Sequence, residues 1–124
     1  MSADGAIELP YRIVDVFTGR PLSGNALCVV LDAAPEPVMP AVAREMNLSE
    51  TTFVTRTGDG SYDVRIFTPA GELPFAGHPS LGTAWALGPG RWTQRSPGAT
   101  VVVDVDEVSA TMSQPDPVLT EVDP

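Results

Sequence analysis

Glu50 and His78 are the residues through which this chain could move a proton. His78 is the only histidine in the sequence. It lies in Leu73-Pro74-Phe75-Ala76-Gly77-His78-Pro79-Ser80-Leu81-Gly82-Thr83-Ala84-Trp85-Ala86-Leu87-Gly88. These types predict a tight turn with Gly77 at positive φ, then a helix with Pro79 in its first position. Leu81, Ala84, Trp85 and Leu87 cover much of the circumference, which predicts a buried helix. Gly88 and Pro89 end it. On this reading the free N–H groups belong to Ser80 and Leu81, and they form an anion site beside an imidazole. Taken alone, His78 fits a capping or turn residue without chemistry better, and the flanking glycine, proline and buried helix raise the functional reading.

Glu50 lies in Asn47-Leu48-Ser49-Glu50-Thr51-Thr52, where a short helix gives way to a strand. Leu48 precedes it and Phe53-Val54 follows. A carboxylate against apolar walls has its pKa raised, which suits a general acid or base near neutral pH. A solvated surface carboxylate is the plain alternative. Together a carboxylate and a histidine could carry a proton between two carbons of one small molecule, but spacing alone does not bring them together.

Other polar groups carry less. Gly19 to Asn25 has two glycines but neither the lysine nor the following helix of a phosphate loop. Asp63 and Arg65 read as solvent-facing strand residues. Asp104 and Asp106 match no calcium-loop spacing, and no metal-ligand cluster is evident. Cys28 is the single cysteine; inside Ala26-Leu27-Cys28-Val29-Val30-Leu31 it reads as a buried, inert thiol.

The elements that must position these residues follow from pattern. Tyr11 to Phe17 and Ala26 to Leu31 are strands, the second buried on both faces. Met39, Val42, Ala43 and Met46 fall at helical spacing, giving a short helix over Met39 to Asn47. Thr52 to Thr55 and Tyr62 to Thr68 are paired strands about the turn Thr57 to Gly60. Pro69 to Leu73 reads as a loop. Pro89 to Ala99 reads as a second loop, anchored by Trp92. Thr100 to Val105 and Val108 to Met112 form a hairpin with a solvated acidic tip at Asp106-Glu107. Met1 to Pro10 is a frayed start, Thr18 to Asn25 a loop, and 118–124 a tail or linker, leaving one lobe over 11–117. The fold class is α+β: mixed strands wrapped, barrel-like, around one buried central helix.

At 124 residues, 43% of them hydrophobic, the chain suits one globular domain. Its formal charge of −9 argues against nucleic-acid and anionic-membrane surfaces. No apolar run approaches the roughly 20 residues of a membrane span, and no signal peptide is evident. A cytoplasmic protein is expected.

Four segments taken in order resemble the N-terminal half of the PhzF-like phenazine-biosynthesis isomerases. They are Val14-Asp15-Val16-Phe17 with Pro21-Leu22-Ser23-Gly24-Asn25; Ala43-Arg44-Glu45-Met46-Asn47-Leu48-Ser49-Glu50-Thr51; Arg65-Ile66-Phe67-Thr68-Pro69; and Glu72-Leu73-Pro74-Phe75-Ala76-Gly77-His78-Pro79 with Gly82-Thr83-Ala84. Ala110 to Pro115 resembles the run that closes that half.

The resemblance implies a diaminopimelate-epimerase-like fold, with the active site between two similar lobes. It implies Glu50 as the catalytic acid/base, Gly77 and His78 as ligand contacts, and Ser49 at the ligand pocket. Ser80 joins them through its position at the expected helix start. It implies a cofactor-independent isomerase acting on a small carboxylate-bearing substrate. Family members are about twice as long, and nothing here matches the aspartate and Gly-Ser-rich helix start of their second lobe. That lobe is therefore expected from a separately encoded C-terminal-half subunit or from a second copy of this chain. The alternatives are a non-catalytic binding or assembly half-domain and an epimerase of the same fold.

Overall fold

The computed structural model describes residues 8–16 and 25–113. The expectations for Met1 to Ile7, for the loop after Val16, and for the tail and closing Gln114-Pro115 lie outside the described residues.

Strand β1 (Tyr11–Val16) runs antiparallel to β2 (Asn25–Val30). A 3₁₀ turn (Glu36–Val38) and helix α1 (Met39–Met46) carry the chain to β3 (Glu50–Gly58), which lies parallel to β2. β4 (Ser61–Thr68) returns antiparallel to β3 through a turn in which Gly60 has φ 78°. Its far edge is shared. Ile66–Thr68 pairs with the short β5 (Gly71–Leu73), and Ser61–Asp63 pairs, parallel, with β6 (Gly90–Ser96). Between β5 and β6 runs α2 (Gly77–Leu87). β7 (Ala99–Val105) and β8 (Ala110–Ser113) complete the sheet as an antiparallel meander. The result is a mixed sheet curled into a half-barrel, α2 in its hollow and α1 on its outer face.

Strand alternation assigns the two faces. Leu27, Val29, Val54, Tyr62, Val64 and Ile66 join the core around α2. Cys28, Val30, Phe53 and Phe67 join a second core with Met39 and Ala43 of α1. This is why Ala26 to Leu31 reads as unbroken apolar sequence: both faces of β2 are covered.

α2 is buried, but not through the side chains its sequence suggested. Pro79, Ser80, Gly82, Thr83, Ala84 and Ala86 face the sheet. Trp85 is 37% exposed and Leu81 only half-buried. Small residues face inward because the helix lies close to β1 and β2. An ideal Cβ at Gly82 would stand 2.5 Å from Leu27 Cδ2 and 2.7 Å from Val16 Cγ2. Two side chains meet carbonyls at the helix end: Arg12 Nη1 donates to Ala86 at 2.8 Å and Trp92 Nε1 to Gly88 at 2.9 Å. These bonds supply donors that a helix C-terminus lacks, and the guanidinium complements its negative dipole end.

Two expected loops are strands. Pro89 to Ala99 contains β6, and Pro69 to Leu73 contains β5. In β6 the inward residues are Trp92 and Gln94, so a polar residue occupies a core position and blurs the alternation. The Asp106 tip is solvated as expected, but also ordered. Asp106 Oδ1 accepts the N–H groups of Val108 and Ser109, each at 2.8 Å, which holds its carboxyl below the ordinary aspartate value. Cys28 is buried, and burial pushes its thiol up to about 11.

Beside α2 the half-barrel stays open. A groove of about 400 Å³ there is lined by Val14, Val16, Leu81, Trp85 and Val108. Among the described residues no helix is long and apolar enough to cross a membrane.

The close approach at Gly82 is testable. A β-branched side chain there must push back Leu27 and Val16, an overpacking that costs about 1–3 kcal/mol. Gly82→Val should lower the midpoint of denaturant unfolding accordingly. An unchanged midpoint would refute this account of the packing.

Candidate functional site

Glu50 is the first residue of β3. α1 ends at Asn47, whose φ of 54° turns the chain out of the helix and whose N–H still reaches the Ala43 carbonyl at 3.1 Å. Leu48 tucks against the α1 core, Ser49 is exposed, and pairing with Leu27 of β2 begins at Glu50. By alternation Glu50 shares its face with Thr52 and Val54, the face that holds α2.

α2 delivers His78 to the same end of the lobe. β5 leads through Pro74, Phe75 and Ala76, and the Pro74 carbonyl accepts the Gly98 N–H at 2.9 Å. Ala76 is extended (φ −153°, ψ 138°) and caps the helix, so Gly77 is the first helical residue and His78 the second.

Here the expected helix start is corrected. Gly77 has helical, not positive, φ, and Pro79 stands third rather than first. A proline there still costs no intrahelical bond. The Ser80 N–H is not free: it donates to the Ala76 carbonyl at 3.3 Å. Nor is the Ser80 hydroxyl free. It is fully buried, donates to the same carbonyl at 2.7 Å and accepts from Gln94 Nε2 at 2.8 Å. Ser80 and Leu81 therefore do not form the anion site. The N–H groups without a preceding turn are those of Gly77 and His78. A Cβ at Gly77 would meet Met112 Cε at 3.6 Å, an ordinary van der Waals contact, so packing alone does not demand glycine here.

Glu50 and His78 act on each other. Burial pushes the Glu50 carboxyl above its ordinary value, and the charge on His78 pulls part of that rise back. Glu50 is half-buried and His78 is exposed. A partly desolvated carboxylate thus stands near an imidazole and a helix N-terminus. Such a set can take a proton from a carbon acid while binding its anionic group. Ser49 adjoins Glu50 in sequence but is open to solvent.

Sequence reasoning missed Thr52, Tyr62, Thr83 and Gln94. All four are fully buried and polar, and they bond to one another or to α2. Their one signal was a polar residue inside an apolar stretch. Arg65 was expected to face solvent. It bonds Glu72 and Glu36, and those carboxylates raise its pKa.

A mixed half-barrel wrapped around a buried helix defines one lobe of an epimerase-like fold. The chain belongs to the phenazine biosynthesis-like family, whose model matches residues 14–113. It is 56% identical over 81 residues to a trans-2,3-dihydro-3-hydroxyanthranilate isomerase of Pseudomonas fluorescens, a match covering 63% of this chain and 29% of that protein. Among solved structures it resembles a PhzF-family phenazine biosynthesis protein of Enterococcus faecalis, with TM-score 0.71 and 35% identity over 82% of this chain and 42% of that one. A protein of Pseudomonas aeruginosa described as a predicted epimerase gives TM-score 0.71 and 34% identity over 83% and 41%. The chain thus spans less than half the length of the relatives it matches.

Because Glu50 ionises at higher pH in the folded than in the unfolded chain, its ionisation costs stability. The cost is absent while both states are protonated, grows as pH rises past the ordinary glutamate value of about 4.3, and is complete above the folded-state value. Glu50→Gln removes it. The stability of Glu50→Gln relative to the parent should therefore climb from about pH 4 toward pH 6. Urea titrations across that range check this, and parallel pH curves for the two proteins would refute it.

Proposed function

We propose that this chain is one lobe of a cofactor-independent isomerase that moves a proton on a small carboxylate-bearing substrate. Glu50 is the acid/base. His78 and the N–H groups of Gly77 and His78 hold the substrate's anionic or polar group, and Ser49 borders it. The observation that carries the reading is that the half-buried Glu50 carboxylate, raised by burial, feels the charge of His78, which stands second in α2 on a separate element. The names of the relatives support the reaction class. The substrate class rests on the resemblance and on the need of an anion for a local positive site, here the helix start and His78, in a chain of charge −9. The reaction is taken to be cytoplasmic.

The cleft needs a second lobe. A carboxylate only half covered, beside an exposed His78, neither excludes water nor fixes a substrate. The open groove at Trp85, Leu81 and Val108 offers an apolar surface for association. The second lobe corresponds to the part of the longer relatives that this sequence does not span. A separately encoded C-terminal-half subunit suits it better than a second copy, which lacks the aspartate that the resemblance implies.

The test is deuterium incorporation from heavy water. The chain, with and without its partner, is incubated with trans-2,3-dihydro-3-hydroxyanthranilate and a panel of small amino and hydroxy acids. Deuterium should enter at carbon, and Glu50→Gln should lose ~10²–10⁴ of the rate while remaining folded. Full turnover in Glu50→Gln would end the proposal. Return of deuterium to the carbon that lost the proton would identify an epimerase, the activity in the description of the P. aeruginosa neighbour. Complex formation without exchange would leave an assembly half-domain. Light scattering across a dilution series should find association, and a monomer at every concentration with no partner recovered would oppose the two-lobe assembly.

A further inference from the structure

Two buried hydrogen-bond chains run from the sheet into the first turn of α2. In the first, Tyr62 Oη donates to Gln94 Oε1 at 2.9 Å, Gln94 Nε2 donates to Ser80 Oγ at 2.8 Å, and Ser80 Oγ donates to the Ala76 carbonyl at 2.7 Å. In the second, Thr83 Oγ1 donates to the Pro79 carbonyl at 2.6 Å. A hydroxyl has one proton to give, so in the 2.8 Å contact between Thr52 Oγ1 and Thr83 Oγ1 the donor is Thr52. Tyr62, Gln94, Ser80, Thr83 and Thr52 are all fully buried.

Both chains end on carbonyls that bracket the same dipeptide: Ala76 and Pro79 stand on either side of Gly77 and His78. Neither chain is needed to satisfy the Ala76 carbonyl, which already accepts the Ser80 N–H. Apolar side chains of similar size would fill this space without polar groups to satisfy. What a fully connected polar network adds is a single geometry. The second chain is the more pointed. Thr52 follows Glu50 by two residues on the same face of β3, and Thr83 lies one turn beyond Pro79 on α2. One hydroxyl–hydroxyl contact therefore ties the strand that carries Glu50 to the helix that carries His78.

We propose that Thr52, Thr83, Ser80 and Gln94, with Tyr62 behind Gln94, are positioning residues that fix the helix start at Gly77-His78 against the Glu50 carboxylate. This rests on the reading of Glu50 and His78 as the reacting and binding groups. None of the network touches substrate; it sets the spacing between the groups that do.

The test separates positioning from mere stability, and separates both from the catalytic reading. The Glu50 carboxyl is titrated by carbon-13 NMR in the parent and in Ser80→Ala/Thr83→Val, each with and without His78→Gln. The difference made by His78→Gln measures how strongly His78 is felt at Glu50. In the folded double variant that difference should shrink measurably, since a site loosened by about 1 Å loses its geometry while the fold persists and the interaction weakens with distance. Thr83→Ser alone, which keeps the hydroxyl, should retain the parental value. If Ser80→Ala/Thr83→Val does not fold, Thr52→Val/Thr83→Val removes the inter-element contact without stranding either hydroxyl and carries the test. An unchanged His78 effect in a folded variant overturns the proposal, as does a parent in which His78→Gln leaves the Glu50 titration unmoved. In the assembled enzyme the same variants should lose about 10²-fold in kcat with a smaller change in KM. If the parent itself shows no turnover, the catalytic reading fails, and the NMR result still decides whether the network positions His78.

Discussion

Everything in this lobe depends on a helix lying inside the curl of its own sheet. A helix so enclosed must present small side chains to the strands, and α2 does so with Pro79, Ser80, Gly82, Thr83, Ala84 and Ala86. Gly82 marks the closest approach, where a methyl group would already meet Leu27 and Val16. Enclosure also denies water to the polar groups of the helix ends, each of which must find a partner or be exposed. At the C-terminal end Arg12 and Trp92 provide partners. At the N-terminal end the Gly77 and His78 N–H groups have no partner within the helix, and the charge of His78 is felt at Glu50. The geometry that makes the helix costly to enclose also leaves its first N–H groups without partners inside the helix.

Much of this was legible in the chain. The alternation of Tyr62 to Thr68, the doubly buried run at Leu27 to Val30 and the short helix ending at Asn47 follow from apolar periodicity, and the structure agrees with each. The helix at His78 was evident from its composition, but its start was placed too late. Pro79 reads as a first helical residue, whereas the extended Ala76 caps the helix one turn earlier than Ser80. That displacement moved the expected N–H groups onto Ser80, whose groups are in fact spent on Ala76 and Gln94. β6 was hidden for a related reason. Its inward Gln94 is matched to partners that lie far away in sequence, and periodicity cannot see a polar residue made suitable for the core by Tyr62 and Ser80.

Electrostatics sharpen the division of labour. The chain carries a formal charge of −9, so its overall field repels an anion, and attraction must be local. Among the described residues Arg65 is engaged with Glu72 and Glu36, and Arg91 with Asp104. These cations are spent on their own acids. On the proposed reading the local attraction near Glu50 comes instead from His78 and from peptide dipoles at the helix start, which need no countercharge of their own.

The same end of the lobe holds two opposite environments within one helical turn. Ser80 and Thr83 are sealed and fully hydrogen-bonded, while His78 stands in solvent and Glu50 is half covered. A general base needs desolvation to raise its pKa, yet complete burial would close it to any substrate. Glu50 resolves that conflict by its position at the first rung of β3. Leu27 and the sheet cover one side, and the other is left for whatever closes over it. In the two-lobed enzyme proposed above, a second lobe would finish that desolvation, and a drier site would strengthen the pull of His78 and the helix start on a bound anion. The hydrogen-bonded interior fixes the helix start in advance, whereas the dielectric at Glu50 depends on how far that carboxylate is covered.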